Sequence, residues 1–238
     1  MRQAGSIVAI VLEKLERSVE PGINTQELNK IAKEEAKKNN AIPSFKGYRG
    51  FPASICVSVN EQIVHGIPSK RTLKEGDIVS IDFGVIYNGF QGDAAKTVAV
   101  GKISQNAQKL MRVTQESLMA GIAKAKDGVH LGDISSAIQR HVETNGFSVV
   151  REYVGHGIGR DMHEDPQIPN FGAEGRGPIL RKGMTLAIEP MVNAGGWQTK
   201  LTDSGWTVIT ADGSLSAHFE HTIAVTDGKA EILTLTKA

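Results

Sequence analysis

The 238-residue sequence has a single cysteine, almost no net charge and no long apolar segment. Because Cys56 stands alone, internal disulfide bonds are excluded, which fits a reducing compartment. A formal net charge of +1 gives no electrostatic reason to expect binding to nucleic acid or to a membrane. The apolar run 6–12 is too short to span a bilayer. We expect a cytoplasmic protein, or one of an organellar stroma or matrix if a leader is missing.

Two short motifs resemble nucleotide-binding signatures, but the residues that normally accompany those signatures are absent. The glycine run around His156 lacks the G-x-G-x-x-G spacing of a dinucleotide-binding loop. Asp82-Phe83-Gly84 matches the kinase D-F-G triplet, but no H-R-D loop or V-A-I-K strand accompanies it. Neither nucleotide chemistry is therefore predicted.

The most informative segment that is present is a strand carrying a carboxylate. Residues 78–86 form an almost unbroken apolar run, typical of a strand buried on both faces, and Asp82 interrupts it. The following Asn88-Gly89 pair favours a type I′ hairpin turn, because both central positions need positive φ. With that turn, Gly84 faces Asp93, and the two aspartates become diagonal neighbours with Cβ atoms about 7–8 Å apart.

Two carboxylates directed at one apolar spot repel each other. They can hold a cation between them, share a single proton, or pair with a Lys or Arg from elsewhere in the chain. The hairpin favours the cation. A register slip of one residue would turn one carboxylate away.

The sequence also repeats itself. Apolar spacing predicts helices over 4–19, 25–38, 102–125 and 132–145, with a strand over 54–59. The segment that starts at Leu73 matches the one that starts at Leu180, which aligns Asp82 with Glu189 at a distance of 107 positions. We therefore predict a duplicated helix-helix-strand-strand unit, with halves at roughly 1–101 and 102–238.

The duplication predicts a second acid pair. The counterpart of Asp93 is Glu220, in a predicted strand in which its neighbours face the other way. Residues 194–214 would then expand the second hairpin. Four carboxylates at one centre require polyvalent cations. His156, between glycines that allow close backbone approach, adds an imidazole that favours Mn, Fe, Co or Zn over Mg or Ca.

These five residues resemble the two-metal site of the methionine aminopeptidases, in the contexts I-D-F-G, G-D, G-H-G-I-G, I-E-P and F-E-H-T. The resemblance spans essentially the whole chain and implies the α+β pita-bread fold, a central antiparallel sheet covered by helices, as one catalytic domain over 1–238. The type I form fits best. The chain has no room for the N-terminal domain of prolidases and X-Pro aminopeptidases, and it lacks the type II helical insertion.

The resemblance implies removal of the initiator methionine before a small second residue, by a hydroxide that bridges two divalent ions (Co, Mn, Fe or Zn). Asp82 would chelate one ion. Asp93 and Glu220 would bridge the two ions, and His156 and Glu189 would complete the other.

Three residues gain catalytic roles from the same resemblance. Glu189 matches the proton acceptor. His163, in M-H-E-D-P, matches the histidine that stabilises the tetrahedral intermediate, and His65, in V-H-G-I-P, matches the one that contacts the scissile nitrogen.

Further positions match the pocket for the methionine side chain, where aromatic and sulfur-containing walls suit a thioether. Members of the family often carry a small residue or Cys where this chain has Phe45, and Phe where it has Met162, which leaves the shape of the pocket open. The predicted substrate-binding residues are His65, Tyr48, Phe51, Cys56, Met162, His163 and Trp206. The remaining histidines are interpreted as structural or surface residues: His130, His141, His218 and His221.

The expected partners are the N-termini of nascent polypeptides, with no nucleic acid or membrane. A monomer is expected, and transient contact with the ribosome is left open. Two alternatives stand beside this reading: an aminopeptidase of X-Pro type, and a catalytically inactive pita-bread binding module. Inactive relatives typically lose metal ligands, whereas this chain keeps all five.

Overall fold

A pair of helices precedes the strands of the first half in the computed structural model, which describes residues 1–236. The predicted helices are confirmed to within one turn. The elements of this half are α1 (Arg2–Ser18), α2 (Thr25–Lys38), β1 (Ile42–Pro43), a 3-10 turn (Tyr48–Gly50), β2 (Cys56–Val59), β3 (Gln62–Val64), β4 (Ile78–Tyr87) and β5 (Phe90–Ala99).

The second half begins with another helix pair, as the first half does. Its strands are shorter and more numerous. The elements are α3 (Gln105–Ile122), α4 (Leu131–Thr144), β6 (Ser148–Val149), β7 (Gly155–Gly157), β8 (Glu164–Ile168), β9 (Thr185–Ile188), β10 (Met191–Asn193), β11 (Thr199–Leu201), β12 (Val208–Thr210), β13 (Ser216–His218), β14 (His221–Ala224) and β15 (Glu231–Ile232).

The β4–β5 hairpin has the predicted turn and register. Asn88 and Gly89 adopt φ values of 50° and 77°, the left-handed conformation that a type I′ turn requires. Tyr87 consequently pairs with Phe90, and Gly84 pairs with Asp93. Asp82 pairs with Ala95, two positions further along the ladder, so its side chain lies on the same face as that of Asp93.

The strands described in residues 1–236 pair antiparallel and form four separate sheets. In the first half, β4 pairs with β1, β2 and β5. In the second half, β9 lies between β7 and β14, while β10 lies between β6 and β13. The fourth sheet contains β11, β12 and β3 and joins the two halves.

The prediction that Glu220 lies within a strand is wrong. Glu220 occupies a break between β13 and β14, and Glu189 occupies the opposing break between β9 and β10. The ladder cannot continue here because Pro190 has no N–H to donate. Only a long hydrogen bond of 3.4 Å, from the Phe219 N–H to the Pro190 carbonyl, crosses the break.

The two halves are joined along β5. The Glu220 N–H donates to the Ala95 carbonyl at 2.9 Å. The Asp93 N–H donates to the hydroxyl oxygen of Thr222 at 3.1 Å, and that hydroxyl donates to the Asp93 carbonyl at 2.7 Å. These bonds hold the acids of the two halves next to each other.

Residues 194–214 expand the second hairpin, as predicted. They contain β11 and β12, and β12 pairs with β3 of the first half through Val208 and Val64. This pairing brings Trp206 to the first half. The centroids of the Trp206 and Phe51 rings lie 5.1 Å apart.

Each half has its own apolar core. Leu15, Leu28 and Phe83 are fully buried in the first core, and Leu110 and Ile138 in the second. A third, smaller cluster lies between the halves and contains Phe45, Phe51, Cys56 and Met162. Across residues 1–236, no helix is long and apolar enough to cross a membrane.

Candidate metal centre

A cavity of about 160 Å³ lies where the two halves meet, and acids, histidines and aromatic rings form its wall. All of the predicted metal ligands line it. Of the predicted pocket residues, Met162 is the exception, since it is buried in the adjacent apolar cluster and is not part of the described wall. The residues that line the cavity are Phe45, Tyr48, Arg49, Phe51, Cys56, His65, Asp82, Asp93, His156, His163, Glu189, Trp206 and Glu220.

Burial raises the pKa of all four carboxyl groups. For Asp93 the pKa reaches about 7, and burial is the main cause. Burial is also the main cause of the raised pKa of Asp82, Glu189 and Glu220. The negative charge of Asp93 raises the pKa of all three further. Four acids at this depth are stable only if they are protonated or face cations.

Several of their oxygens have no hydrogen-bond partner. Within the described part of the chain, this holds for Oδ1 of Asp82, Oδ1 of Asp93 and Oε1 of Glu220. Buried oxygens without donors are costly unless something else binds them. Because no lysine or arginine makes an ion pair with these acids in residues 1–236, the donor set fits divalent cations.

The histidine of β7 presents a free nitrogen to these acids. Nδ1 of His156 lies 2.8 Å from the carbonyl oxygen of Gly157, which can only accept, so Nδ1 carries the hydrogen. Nε2 therefore has its lone pair available, 3.5 Å from Oε1 of Glu189. Burial lowers the pKa of His156 to about 4, which keeps the imidazole neutral, the form that binds metals.

The glycines beside His156 permit close backbone approach, as predicted. A Cβ atom on Gly155 would collide with the carbonyl oxygen of Ala187, and one on Gly157 with that of Asp165. Only glycine allows these strands to lie so close together.

Ligand atoms from these residues form two overlapping groups. Atoms of Asp93, His156 and Glu220 all lie within 4.8 Å of one another, and the same holds for Glu189, His218 and Glu220. Glu220 belongs to both groups. The arrangement therefore suits the binding of divalent cations.

Two residues at the site are not predicted from the sequence: Arg49, on the cavity wall, and His218, beside the acids. The sequence places His218 among the structural or surface residues; it is 1% exposed and lies next to the acids. The available sequence signal is its position two residues before Glu220.

The two predicted catalytic histidines lie on the cavity wall. Burial lowers the pKa of His65 to about 4, and its backbone is left-handed, with φ of 58°. The ring of His163 lies 4.3 Å from that of His156, and its Nδ1 lies 2.7 Å from the hydroxyl of Tyr48. Burial also lowers the pKa of His163.

Part of the cavity wall is apolar. Trp206 and Phe51 pack edge to face, and Cys56 pairs with Asp82 across the β2–β4 ladder. Burial raises the pKa of the Cys56 thiol well above its ordinary value, so it stays protonated. This side of the cavity suits an apolar, polarisable side chain.

Comparison with known proteins gives a consistent result. The family model for metallopeptidase family M24 matches residues 1–227. Methionine aminopeptidase of Clostridium perfringens is 59% identical over all of this chain and 95% of its own length. Methionine aminopeptidase of Escherichia coli is 49% identical over all of this chain and 90% of its own length.

Solved structures agree. The crystal structure of methionine aminopeptidase from Thermotoga maritima superposes with a TM-score of 0.98 at 51% identity, covering 99% of this chain and 95% of that one. The prolidase from Pyrococcus furiosus shares only the fold, with a TM-score of 0.81 at 21% identity over all of this chain and 63% of that one.

Proposed function

The chain belongs to metallopeptidase family M24, and from this membership we infer that it removes the N-terminal methionine of polypeptides by metal-dependent hydrolysis. The pita-bread fold expected from the sequence is confirmed by the same relatives. The observation that carries the proposal is the cavity itself, in which four buried acids and a neutral histidine face an apolar, aromatic wall.

Asp82, Asp93, His156, Glu189 and Glu220 would hold two divalent ions. Mn, Fe, Co and Zn all suit a site of carboxylates with an imidazole. When bound, such ions lower the pKa of water and polarise a peptide carbonyl.

Side chains of the cavity accept the proton and bind the peptide bond during hydrolysis. Glu189 accepts a proton from the attacking water. His163 donates a hydrogen bond to the carbonyl oxygen as negative charge develops there. His65 contacts the nitrogen of the scissile bond.

The substrate is held by the apolar wall. The methionine side chain would contact Tyr48, Phe51, Cys56 and Trp206, with Phe45 narrowing the pocket and Met162 supporting it from behind. The limited volume of the cavity favours a small second residue in the substrate. The whole chain acts as one catalytic domain, on nascent polypeptides in the cytoplasm, as a monomer.

Anaerobic purification, metal analysis and an assay with Met-Gly-Met test the proposal. We expect release of methionine, inhibition by a chelator, and loss of activity in Asp93→Ala and Glu220→Ala. Glu34→Ala, on the exposed face of α2, is the matched control and should be fully active. Full activity of either acid variant after exhaustive chelation would contradict the two-metal mechanism.

Substrate choice separates the alternatives. An aminopeptidase of X-Pro type would cleave Met-Pro in preference to Met-Ala peptides, whereas we expect the reverse order. An inactive binding module would bind Mn²⁺ or Co²⁺ but release no methionine.

A further inference from the structure

His218 is a buried histidine with an unused nitrogen. It ends β13 and is 1% exposed, and its Nε2 has no hydrogen-bond partner in the part of the chain that the structure describes. A buried polar nitrogen without a partner is costly. The free-energy cost indicates that a partner is supplied when the centre is complete.

A carboxylate oxygen of Glu189 lies near this nitrogen. Nε2 of His218 lies 3.6 Å from Oε2 of Glu189, while Nε2 of His156 lies 3.5 Å from Oε1 of the same carboxylate. The carboxylate thus lies between two imidazoles, with one oxygen facing each. The pairing of Met191 with His218 in the β10–β13 ladder holds this arrangement in register.

The Nε2 atoms of His156 and His218 differ in hydrogen-bonding capacity. His156 has its hydrogen on Nδ1, so its Nε2 presents a lone pair and cannot donate to Glu189. Ionised Glu189 needs a donor for its second oxygen, because a buried carboxylate without one is unstable. Nε2 of His218 faces that oxygen at 3.6 Å and can supply the donor once the two atoms move slightly closer.

We propose that His218 is a positioning residue, whose neutral Nε2–H donates a hydrogen bond to Oε2 of Glu189 and so fixes the orientation of that carboxylate. The inference rests on the proposed function, since it assigns a supporting partner to one of the metal ligands. His218 does not line the described cavity, whereas Glu189 does, so a cation that enters meets the carboxylate first. Partners that orient a metal ligand in this way typically change metal affinity or activity about 10–100-fold when removed.

Two substitutions test whether His218 acts by donating a hydrogen bond to Glu189. His218→Gln keeps an N–H donor, whereas His218→Leu removes it. His221→Gln is the control, since His221 lies three positions further on and bonds Thr234 through Nδ1 at 2.8 Å. Metal-free protein is titrated with Mn²⁺ by calorimetry and with Co²⁺ by visible absorption, and circular dichroism verifies folding.

We expect His218→Leu to bind Mn²⁺ about 10–100-fold more weakly, and His218→Gln and the control to bind it nearly as the wild type does. Equal affinity in all variants would overturn the proposal. Equal losses in the Gln and Leu variants, with an altered Co²⁺ spectrum, would also overturn it, because they identify His218 as a direct ligand.

A measurement on the wild-type protein does not depend on the folding of His218→Leu. In the Zn²⁺-loaded protein with ¹⁵N-labelled histidine, His218 should carry its hydrogen on Nε2, with His218→Gln used for assignment. A hydrogen on Nδ1 would refute the proposal. A wild-type protein that binds no divalent ion or releases no methionine would refute the proposed function instead, whatever the His218 variants do.

Discussion

The hydroxyl of Tyr48 lies 2.7 Å from Nδ1 of His163, and the two rings stack with centroids 5.3 Å apart. When Tyr48 donates this hydrogen bond, Nδ1 is the acceptor and the imidazole hydrogen lies on Nε2. That tautomer can donate to a substrate carbonyl. Tyr48, which we propose to line the methionine pocket, therefore also sets the hydrogen-bonding state of His163, which we propose to act in catalysis.

Tyr48→Phe should lower kcat by about 10-fold and leave KM nearly unchanged, because the ring still packs but the tautomer is no longer fixed. Removing an oxyanion donor outright costs about 10²–10³-fold, so His163→Ala should be more severe. Steady-state kinetics on a Met-Ala peptide measure both variants. A wild-type kcat in Tyr48→Phe would show that the hydroxyl is not needed.

The metal-free protein should lose stability as the pH rises from 6.5 to 8. A buried carboxyl with a raised pKa keeps its proton in the folded state after the unfolded chain has released it, so stability falls between the two pKa values. For Asp93 these are 3.8 and about 7, and the other three acids act with the same sign. The buried histidines act with the opposite sign, and their effect fades above pH 6.5 as the unfolded chain loses its histidine protons.

Urea unfolding in the presence of a chelator measures this dependence. Asp93→Asn, which has no proton to lose, should show a shallower fall. With saturating Mn²⁺ the trend should reverse, because metal binding displaces protons and tightens as the pH rises. A metal-free stability that is constant or rises over this range would be inconsistent with buried protonated acids.

Gly157→Ala should destabilise the protein by about 1–3 kcal/mol, because the new Cβ would force β7 away from the Asp165 carbonyl. The same displacement should weaken metal binding, since His156 precedes it. Gly228→Ala is the matched control, because the nearest atom to its new Cβ is 4.0 Å away. Equal stability of the two variants would show that β7 has room to move.

Gly89→Ala tests the hairpin turn without crowding. The nearest atom to its new Cβ is Nη1 of Arg160 at 3.7 Å, so the cost comes from φ alone, about 1–2 kcal/mol. Asn88→Gly should be neutral or slightly stabilising, since glycine tolerates the φ of 50° at that position. Thermal unfolding gives both values, and a destabilised Asn88→Gly would argue against the type I′ turn.

The sequence by itself determined the local features of this protein. Asn88-Gly89 fixed the β4–β5 register, because few residues adopt positive φ in two consecutive positions. That register placed Asp82 and Asp93 on one face. The internal repeat identified the second acid pair and the second pair of helices. Each of these features depends on short-range backbone preferences or on a pattern that the chain repeats.

Only the tertiary structure decided how the two halves meet. The interruption of the strands at Glu189 and Glu220, the hydrogen bond from the Glu220 N–H to Ala95, and the position of His218 all depend on contacts between distant segments. Thr222 and Asp93, for example, are 129 positions apart. Periodicity indicates which face of a strand is buried, but it does not specify which segment packs against that face, because that choice is made by long-range hydrogen bonds and packing.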